Sequence, residues 1–110
     1  MGTYLRGDVL LAPLCLSTEG RIKVRPVVVL GISGKNELRV SPVSSTPPSK
    51  GTVLPLRIDD FSEGGLELNC ESYLIADRIC RIRVSEVLGK KGRLTTEAIR
   101  ELLPFSNEEE

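Results

Sequence analysis

The feature that most constrains the fold is an apolar run, Val24-Arg25-Pro26-Val27-Val28-Val29-Leu30-Gly31. Four consecutive aliphatic residues, three of them β-branched, predict a strand that is buried on both faces. A strand of this kind needs a neighbour on each side, so the chain must build a sheet around it. Pro26 donates no backbone hydrogen bond, and we therefore expect it at the first rungs of this strand.

Other strand patterns recur along the chain, separated by Gly, Pro, Asn and Asp. Ser33-Gly34-Lys35-Asn36 predicts a tight hairpin turn between the central strand and the alternating segment 37–43. The remaining predicted strands cover residues 7–13, 53–58, 66–68, 71–76 and 78–84. Aromatic residues make up only 4% of the chain, so Val, Ile and Leu must form the core. We predict a mainly β fold: a small SH3-like barrel, closed or nearly closed, of five to seven short strands with a C-terminal helix.

One helix is predicted, at the C-terminal end of the chain. Thr95 is a suitable N-cap, Glu97 falls in the first turn, and Pro104 is expected to end the helix. We expect a single domain over residues 1–105, followed by an acidic tail over residues 106–110.

Charge and cysteine content exclude several kinds of site. Fifteen Lys and Arg balance fifteen Asp and Glu, yet residues 1–50 carry seven basic and three acidic residues, which permits a local phosphate-binding surface. The chain has three cysteines without CxxC spacing and no His, so we expect no structural zinc and no cofactor. No apolar run is long enough to cross a membrane, and the first residues lack an apolar signal core, so we expect a cytoplasmic protein.

Three short motifs follow one another along the chain: Arg6-Gly7-Asp8-Val9, Val24-Arg25-Pro26-Val27-Val28-Val29, and Val40-Ser41-Pro42-Val43-Ser44-Ser45. Two later segments, 75–79 and the Lys-x-Gly-x-Leu stretch in 88–94, extend the pattern. With these motifs the chain resembles the MazF/PemK family of type II toxin–antitoxin toxins, from residue 6 to about residue 103. The resemblance implies the CcdB/PemK-type barrel.

The resemblance also implies an activity. Members of the family are mRNA interferases, which cleave single-stranded RNA without a metal by attack of a ribose 2′-hydroxyl on the adjacent phosphate. By position, their catalytic arginine and hydroxyl correspond to Arg25 and Ser44, and Asp77 matches a carboxylate of a late strand. Whether Asp77 acts as a base or pairs with a neighbouring arginine stays open at this point. The residues that we expect to bind RNA are Lys23, Ser45, Thr46, Lys50 and Arg81.

The same resemblance implies partners. Family members form homodimers that bind RNA across the dimer groove, and a cognate antitoxin holds them inactive in a complex that binds DNA. An alternative is a catalytically inactive member of the fold that binds RNA or protein, which the lack of His and the Ser at a position usually held by Thr favour. A gyrase poison of the CcdB type is disfavoured, because such proteins act through a Trp-containing tail and this chain has no Trp.

Overall fold

The computed structural model describes residues 4–14, 22–32, 34, 36–44, 53–64, 72–75 and 79–106. The strands are β1 (Asp8–Leu14), β2 (Lys23–Ile32), β3 (Glu37–Ser44), β4 (Val53–Leu56), β5 (Phe61–Gly64), β6 (Ser72–Ile75), β7 (Cys80–Arg83) and β8 (Gly89–Leu94). Short 3-10 turns cover Ile58–Asp60 and Val84–Glu86, and the helix α1 covers Thr96–Ser106. No helix in these described ranges is long and apolar enough to cross a membrane.

The strands form a single curled antiparallel sheet in the order β4-β6-β3-β2-β1-β8-β5, and β7 pairs with the free end of β3. This arrangement confirms the predicted mainly β fold with one C-terminal helix. Seven strands follow one another along this order, and β7 is the eighth, which pairs with β3 beside it. The two unpredicted strands, β5 and β8, are polar and contain glycine. They form strands because β8 pairs with β1 and β5 pairs with β8.

The central position predicted for the apolar run is confirmed. β2 lies between β1 and β3, and Val27 to Leu30 are fully buried. Its two faces support two apolar clusters, because side chains alternate along each strand. The first core cluster contains Val9, Val28, Leu30, Val43, Leu74, Leu94 and Ala98. The second core cluster contains Leu10, Ala12, Leu14, Val27, Val29, Leu38, Val40 and Ile82.

A β-bulge interrupts the pairing of β2 with β3. Val29 pairs with Val40, whereas Gly31 pairs with Arg39, so Leu30 is an extra residue on β2. Bulges of this kind shift the register by one residue and bend the strand. The bulge therefore sets which residues of β3 lie opposite the first half of β2.

The motif at residues 6–9 ties the start of β1 to the rest of the sheet. Asp8 is 2% exposed, and its carboxylate accepts hydrogen bonds from Arg93 Nη1 at 2.7 Å and from the backbone N–H of Leu5 at 2.9 Å. The Nε of Arg6 donates to the carbonyl of Leu30 at 2.8 Å. Gly7 has a φ of 96°, and a side chain there would collide with Ile99 of α1. In this structure the motif stabilises the fold.

The helix begins as predicted but ends later. Thr95 Oγ1 accepts a hydrogen bond from the backbone N–H of Ala98 at 3.2 Å, as an N-cap should. The expectation that Pro104 ends the helix was wrong, because α1 continues to Ser106. Proline fixes a φ that suits a helix, so the helical path can continue past Pro104 even though its own hydrogen bond to the preceding turn is lost. The acidic residues 107–110 lie outside the described residues.

Candidate active site

Arg25, the predicted catalytic arginine, is the third residue of β2 and pairs with Ala12 of β1. Strand alternation places its side chain on the same face as Val27 and Val29, beside the second core cluster. The side chain is half-buried, and its Nε atom is buried without a hydrogen-bond partner in the part of the chain that the structure describes. A buried N–H that is left unpaired costs about 1–3 kcal/mol. Arg25 is therefore a donor that an anion would satisfy.

Ser44, the predicted partner of Arg25, is the last residue of β3 and is half-buried. In the ladder between β2 and β3, Val27 pairs with Pro42 and Val28 with Ser41. Extending this register by two residues places Ser44 directly opposite Arg25. Opposed residues point to the same face of a sheet, with Cβ atoms roughly 4.5–5.5 Å apart. The ladder itself ends at the pair Val27–Pro42, and its register, when extended, aligns the two predicted catalytic residues.

Tyr73 of β6 lies on the other side of Ser44, with which it pairs directly. Tyr73 in turn pairs with Pro55 of β4. Tyr73 was absent from the residues predicted to form the site. The alternation of residues 72–75 indicated its strand, but only the pairing of β6 with β3 places its ring beside Ser44, and no local signal reports that pairing.

Lys23, predicted to bind RNA, is exposed and lies two residues before Arg25 on the same face of β2. The separation along the strand is about 7 Å. Two cations thus occupy this end of the sheet, and Lys23 can contact a polyanion that extends past Arg25.

Arg81, also predicted to bind RNA, lies elsewhere. It is exposed and pairs with Arg39, while its neighbour Ile82 packs in the second core cluster. Arg81 therefore points to the sheet face opposite to that of Arg25. Arg39 is also five residues from Ser44 along β3, which is about 17 Å. The structure does not bring Arg81 together with the Arg25–Ser44 pair.

The remaining predicted site residues, Asp77, Ser45, Thr46 and Lys50, lie outside the described residues. An open cavity of about 610 Å³ occurs at the far end of β3, lined by residues that include Glu37 and Arg83. It lies at the opposite end of β3 from Ser44. Within the described ranges, no group of three or more His, Cys, Asp or Glu residues is arranged to hold a metal ion.

The arrangement has a defined chemical capacity. The Nε of Arg25 lacks a hydrogen-bond partner among the described residues, and Lys23 extends the positive surface beside it. In the extended register the hydroxyl of Ser44 lies on the neighbouring strand. A guanidinium presents a planar set of donors that fits two oxygens of a phosphate. Such an arrangement binds a phosphate and stabilises negative charge that develops on it.

Comparisons with known proteins point to one fold. No family model matches the chain, and no curated protein matches it in sequence. Among solved structures, the Mycobacterium tuberculosis toxin MazF-mt6 matches over 90% of this chain and 94% of its own, with 21% identity and a TM-score of 0.63. An endoribonuclease from a mycobacterial species matches over 96% of this chain and 92% of its own, with 16% identity and a TM-score of 0.66.

A third solved structure is an endoribonuclease from a mycobacterial species in complex with its cognate antitoxin. It matches over 94% of this chain and 90% of its own, with 16% identity and a TM-score of 0.56. At these identities the likeness establishes the fold. The chain has the fold of MazF-like toxins, as the sequence motifs predicted.

Proposed function

We propose that this protein is a toxin endoribonuclease that cleaves single-stranded RNA at the Arg25–Ser44 pair. The observation that supports the proposal is the Nε of Arg25, which is buried and has no hydrogen-bond partner among the described residues. The register of β2 with β3, extended by two residues, aligns Ser44 with it. The fold supports it, because the solved structures that match over nearly the whole chain include endoribonucleases.

The proposed reaction is an internal transfer of a phosphoryl group. The ribose 2′-hydroxyl attacks the adjacent phosphorus: the bond from O2′ to phosphorus forms, and the bond from phosphorus to O5′ breaks. The 2′-hydroxyl loses its proton and the departing 5′ oxygen gains one, so the products are a 2′,3′-cyclic phosphate and a 5′-hydroxyl. The proposal assigns no step to a metal or a cofactor.

Arg25 stabilises charge in this reaction. Phosphoryl transfer depends mainly on neutralising the charge that spreads over the phosphate oxygens. A guanidinium has hydrogen-bond donors and no acceptor, so it donates to those oxygens and to the departing oxygen. Ser44 orients the attacking hydroxyl or a phosphate oxygen. One preorganised donor of this kind is worth about 2.7–4 kcal/mol, or roughly 10²–10³ in rate.

Two partners belong to the proposal. One matching structure is an endoribonuclease bound to its cognate antitoxin, and we extend this partnership to the present chain. We further propose a homodimer that covers the outer apolar patch, which we define as Ile22, Val24 and Leu88. These side chains are 70%, 53% and 63% exposed, and apolar surface of this kind marks sites of association.

Two members of the outer apolar patch lie on either side of β1: Val24 is on β2, and Leu88 comes immediately before β8. Val24 pairs with Pro13 of β1, and the backbone N–H of Leu88 donates to the carbonyl of Leu11 at 2.8 Å. Val24 also lies on the opposite face of β2 from Arg25. A second copy can therefore cover the patch on the face away from the Arg25 side chain.

The second candidate is a non-cleaving RNA- or protein-binding module of the same fold. Zero net charge and the absence of His favour it, and so does Ser44, at a position where the resembled family usually has threonine. The two candidates differ in one outcome: only the first predicts a cyclic-phosphate product.

The test is cleavage of a mixed-sequence single-stranded RNA by the purified protein in EDTA, with end-group analysis of the products. We expect cleavage that persists in the chelator, and a loss of roughly 10²–10³ in rate for Arg25→Ala. Arg100→Ala is the matched control, because Arg100 is an exposed arginine on α1. Full activity of Arg25→Ala, or dependence on a metal, refutes the mechanism. RNA binding without cleavage supports the second candidate.

A further inference from the structure

Four residues form a row across one end of the sheet. Ser44 pairs with Tyr73, and Tyr73 pairs with Pro55. The ladder of β2 with β3 ends at Val27–Pro42, and its register, extended by two residues, adds Arg25 on the other side of Ser44. Because directly opposed residues share a face, all four side chains lie on the same side of the sheet. The second residue before Arg25, Lys23, lies on this face as well.

The row changes in chemistry from one end to the other. Arg25 and Ser44 offer polar donors, whereas Tyr73 and Pro55 offer flat, largely apolar surface. Arg25, Ser44 and Tyr73 are half-buried, and Pro55 is exposed. A nucleotide has the same division, since its phosphate is charged and its base is a flat aromatic ring.

Tyr73 differs from the other aromatic side chains in the described ranges. Tyr4 packs against the second core cluster and Phe61 against the first. Tyr73 is half-buried and pairs directly with Ser44, so it is the aromatic residue that lies beside the candidate site.

The distances suit a single nucleotide. Neighbouring strands lie about 4.7–4.9 Å apart, so Tyr73 is two strand spacings, roughly 9.5 Å, from Arg25. A phosphate held by Arg25 and Ser44 is joined to its base through one ribose. That base can reach the ring of Tyr73 without leaving the face of the sheet.

We propose that Tyr73 binds RNA by stacking on the base of the nucleotide whose phosphate Arg25 and Ser44 hold. Proteins read single-stranded RNA in this way, by stacking unpaired bases on aromatic side chains. The inference rests on the proposed function and adds a base-binding position to it. Pro55 borders the stacked base on the far side of Tyr73.

The test measures binding of 2′-O-methyl RNA, which cannot undergo attack by the 2′-hydroxyl. Fluorescein-labelled oligonucleotides of A, C and U are titrated with the protein, and affinity is read by anisotropy. We expect Tyr73→Leu to weaken binding about 5- to 150-fold and Tyr73→Phe to keep affinity close to that of the unmodified protein. Phe61→Leu is the matched control, because it removes a ring that packs on the first core cluster.

An abasic nucleotide placed in turn at each position of the best-binding oligonucleotide isolates the stack. At one position the abasic nucleotide should weaken binding as much as Tyr73→Leu does. The abasic oligonucleotide and the Tyr73→Leu variant together should then bind little more weakly than with either change alone. Equal affinity of Tyr73→Leu and the unmodified protein overturns the proposal, and so does additivity at every position.

Failure of the stack and failure of the proposed function give different results. Cleavage of natural RNA with unchanged affinity in Tyr73→Leu refutes the stack alone. Binding that depends on Tyr73 without any cleavage supports the stack and refutes the cleavage. A protein that binds none of the oligonucleotides refutes both.

Discussion

Replacing Asp8 by Asn should destabilise the protein markedly, although the two side chains have the same shape. Both carboxylate oxygens are in use: Oδ1 accepts from Arg93 Nη1 at 2.7 Å and lies 3.5 Å from Lys90 Nζ, while Oδ2 accepts from the N–H of Leu5 at 2.9 Å. Asn has one acceptor oxygen and an NH2 group, so one of these donors must lose its partner.

The magnitude follows from the exposure of the groups involved. Removing one member of a fully buried ion pair costs about 3–5 kcal/mol. The side chain of Asp8 is 3% exposed, but that of Arg93 is 29% exposed and can be rehydrated. A hydrogen bond to a charged group contributes about 1.5–3 kcal/mol, and we expect a loss of about 2 kcal/mol. For a domain of this size that loss lowers Tm by roughly 8 °C.

The assay is equilibrium unfolding in urea, with Asp59→Asn as the control. Asp59 is an exposed carboxylate, so its substitution should change the free energy of unfolding by no more than about 0.5 kcal/mol. Arg93→Ala combined with Asp8→Asn should cost less than the sum of the single changes, because both remove the same bond. A loss for Asp8→Asn no larger than that for Asp59→Asn refutes this account of the motif.

Three further outcomes are expected. Gly7→Ala should lower the free energy of unfolding by about 1–3 kcal/mol in thermal unfolding, because a φ of 96° is strained for Ala and the new Cβ collides with Ile99. Gly89→Ala is the control: nothing lies within 4 Å of a Cβ built there, so its stability should change little. Thr95→Ala removes the N-cap and should cost about 1 kcal/mol in urea unfolding, and an unchanged midpoint would contradict the cap. Val24→Lys places a charge in the outer apolar patch and should shift sedimentation from dimer to monomer; a dimer that survives it does not use this patch.

Local pattern predicted the elements whose own residues favour them. The buried run in β2 and the N-cap at Thr95 depend on neighbouring residues alone, and both are confirmed. β5 and β8 were missed because Phe61–Gly64 and Gly89–Leu94 are polar and contain glycine, and pairing across the sheet overrides that weak preference. The end of α1 was misplaced because the fixed φ of proline suits a helix, so the helical path continues past Pro104.

The candidate site could be predicted in part. The motifs identified Arg25 and Ser44 through a resemblance, and the register of β2 with β3, extended two residues past its last pair, aligns them. Arg81 was grouped with them because it is basic, but the face to which a strand residue points depends on which neighbours the strand packs against. Tyr73 was missed for the related reason that β6 pairs with β3 across a long stretch of sequence.

The bulge at Leu30 determines which residue of β3 is aligned with Arg25 when the register is extended. On the hairpin side of the bulge, Gly31 pairs with Arg39. If that register continued without the bulge, Arg25 would lie opposite residue 45. That register would also put Val27 and Val29 on the opposite face from Val40, with which they form the second core cluster, since a slip of one residue exchanges the faces of a strand. The packing of Val29 against Val40, four residue pairs from Arg25, thus fixes how Arg25 and Ser44 are aligned.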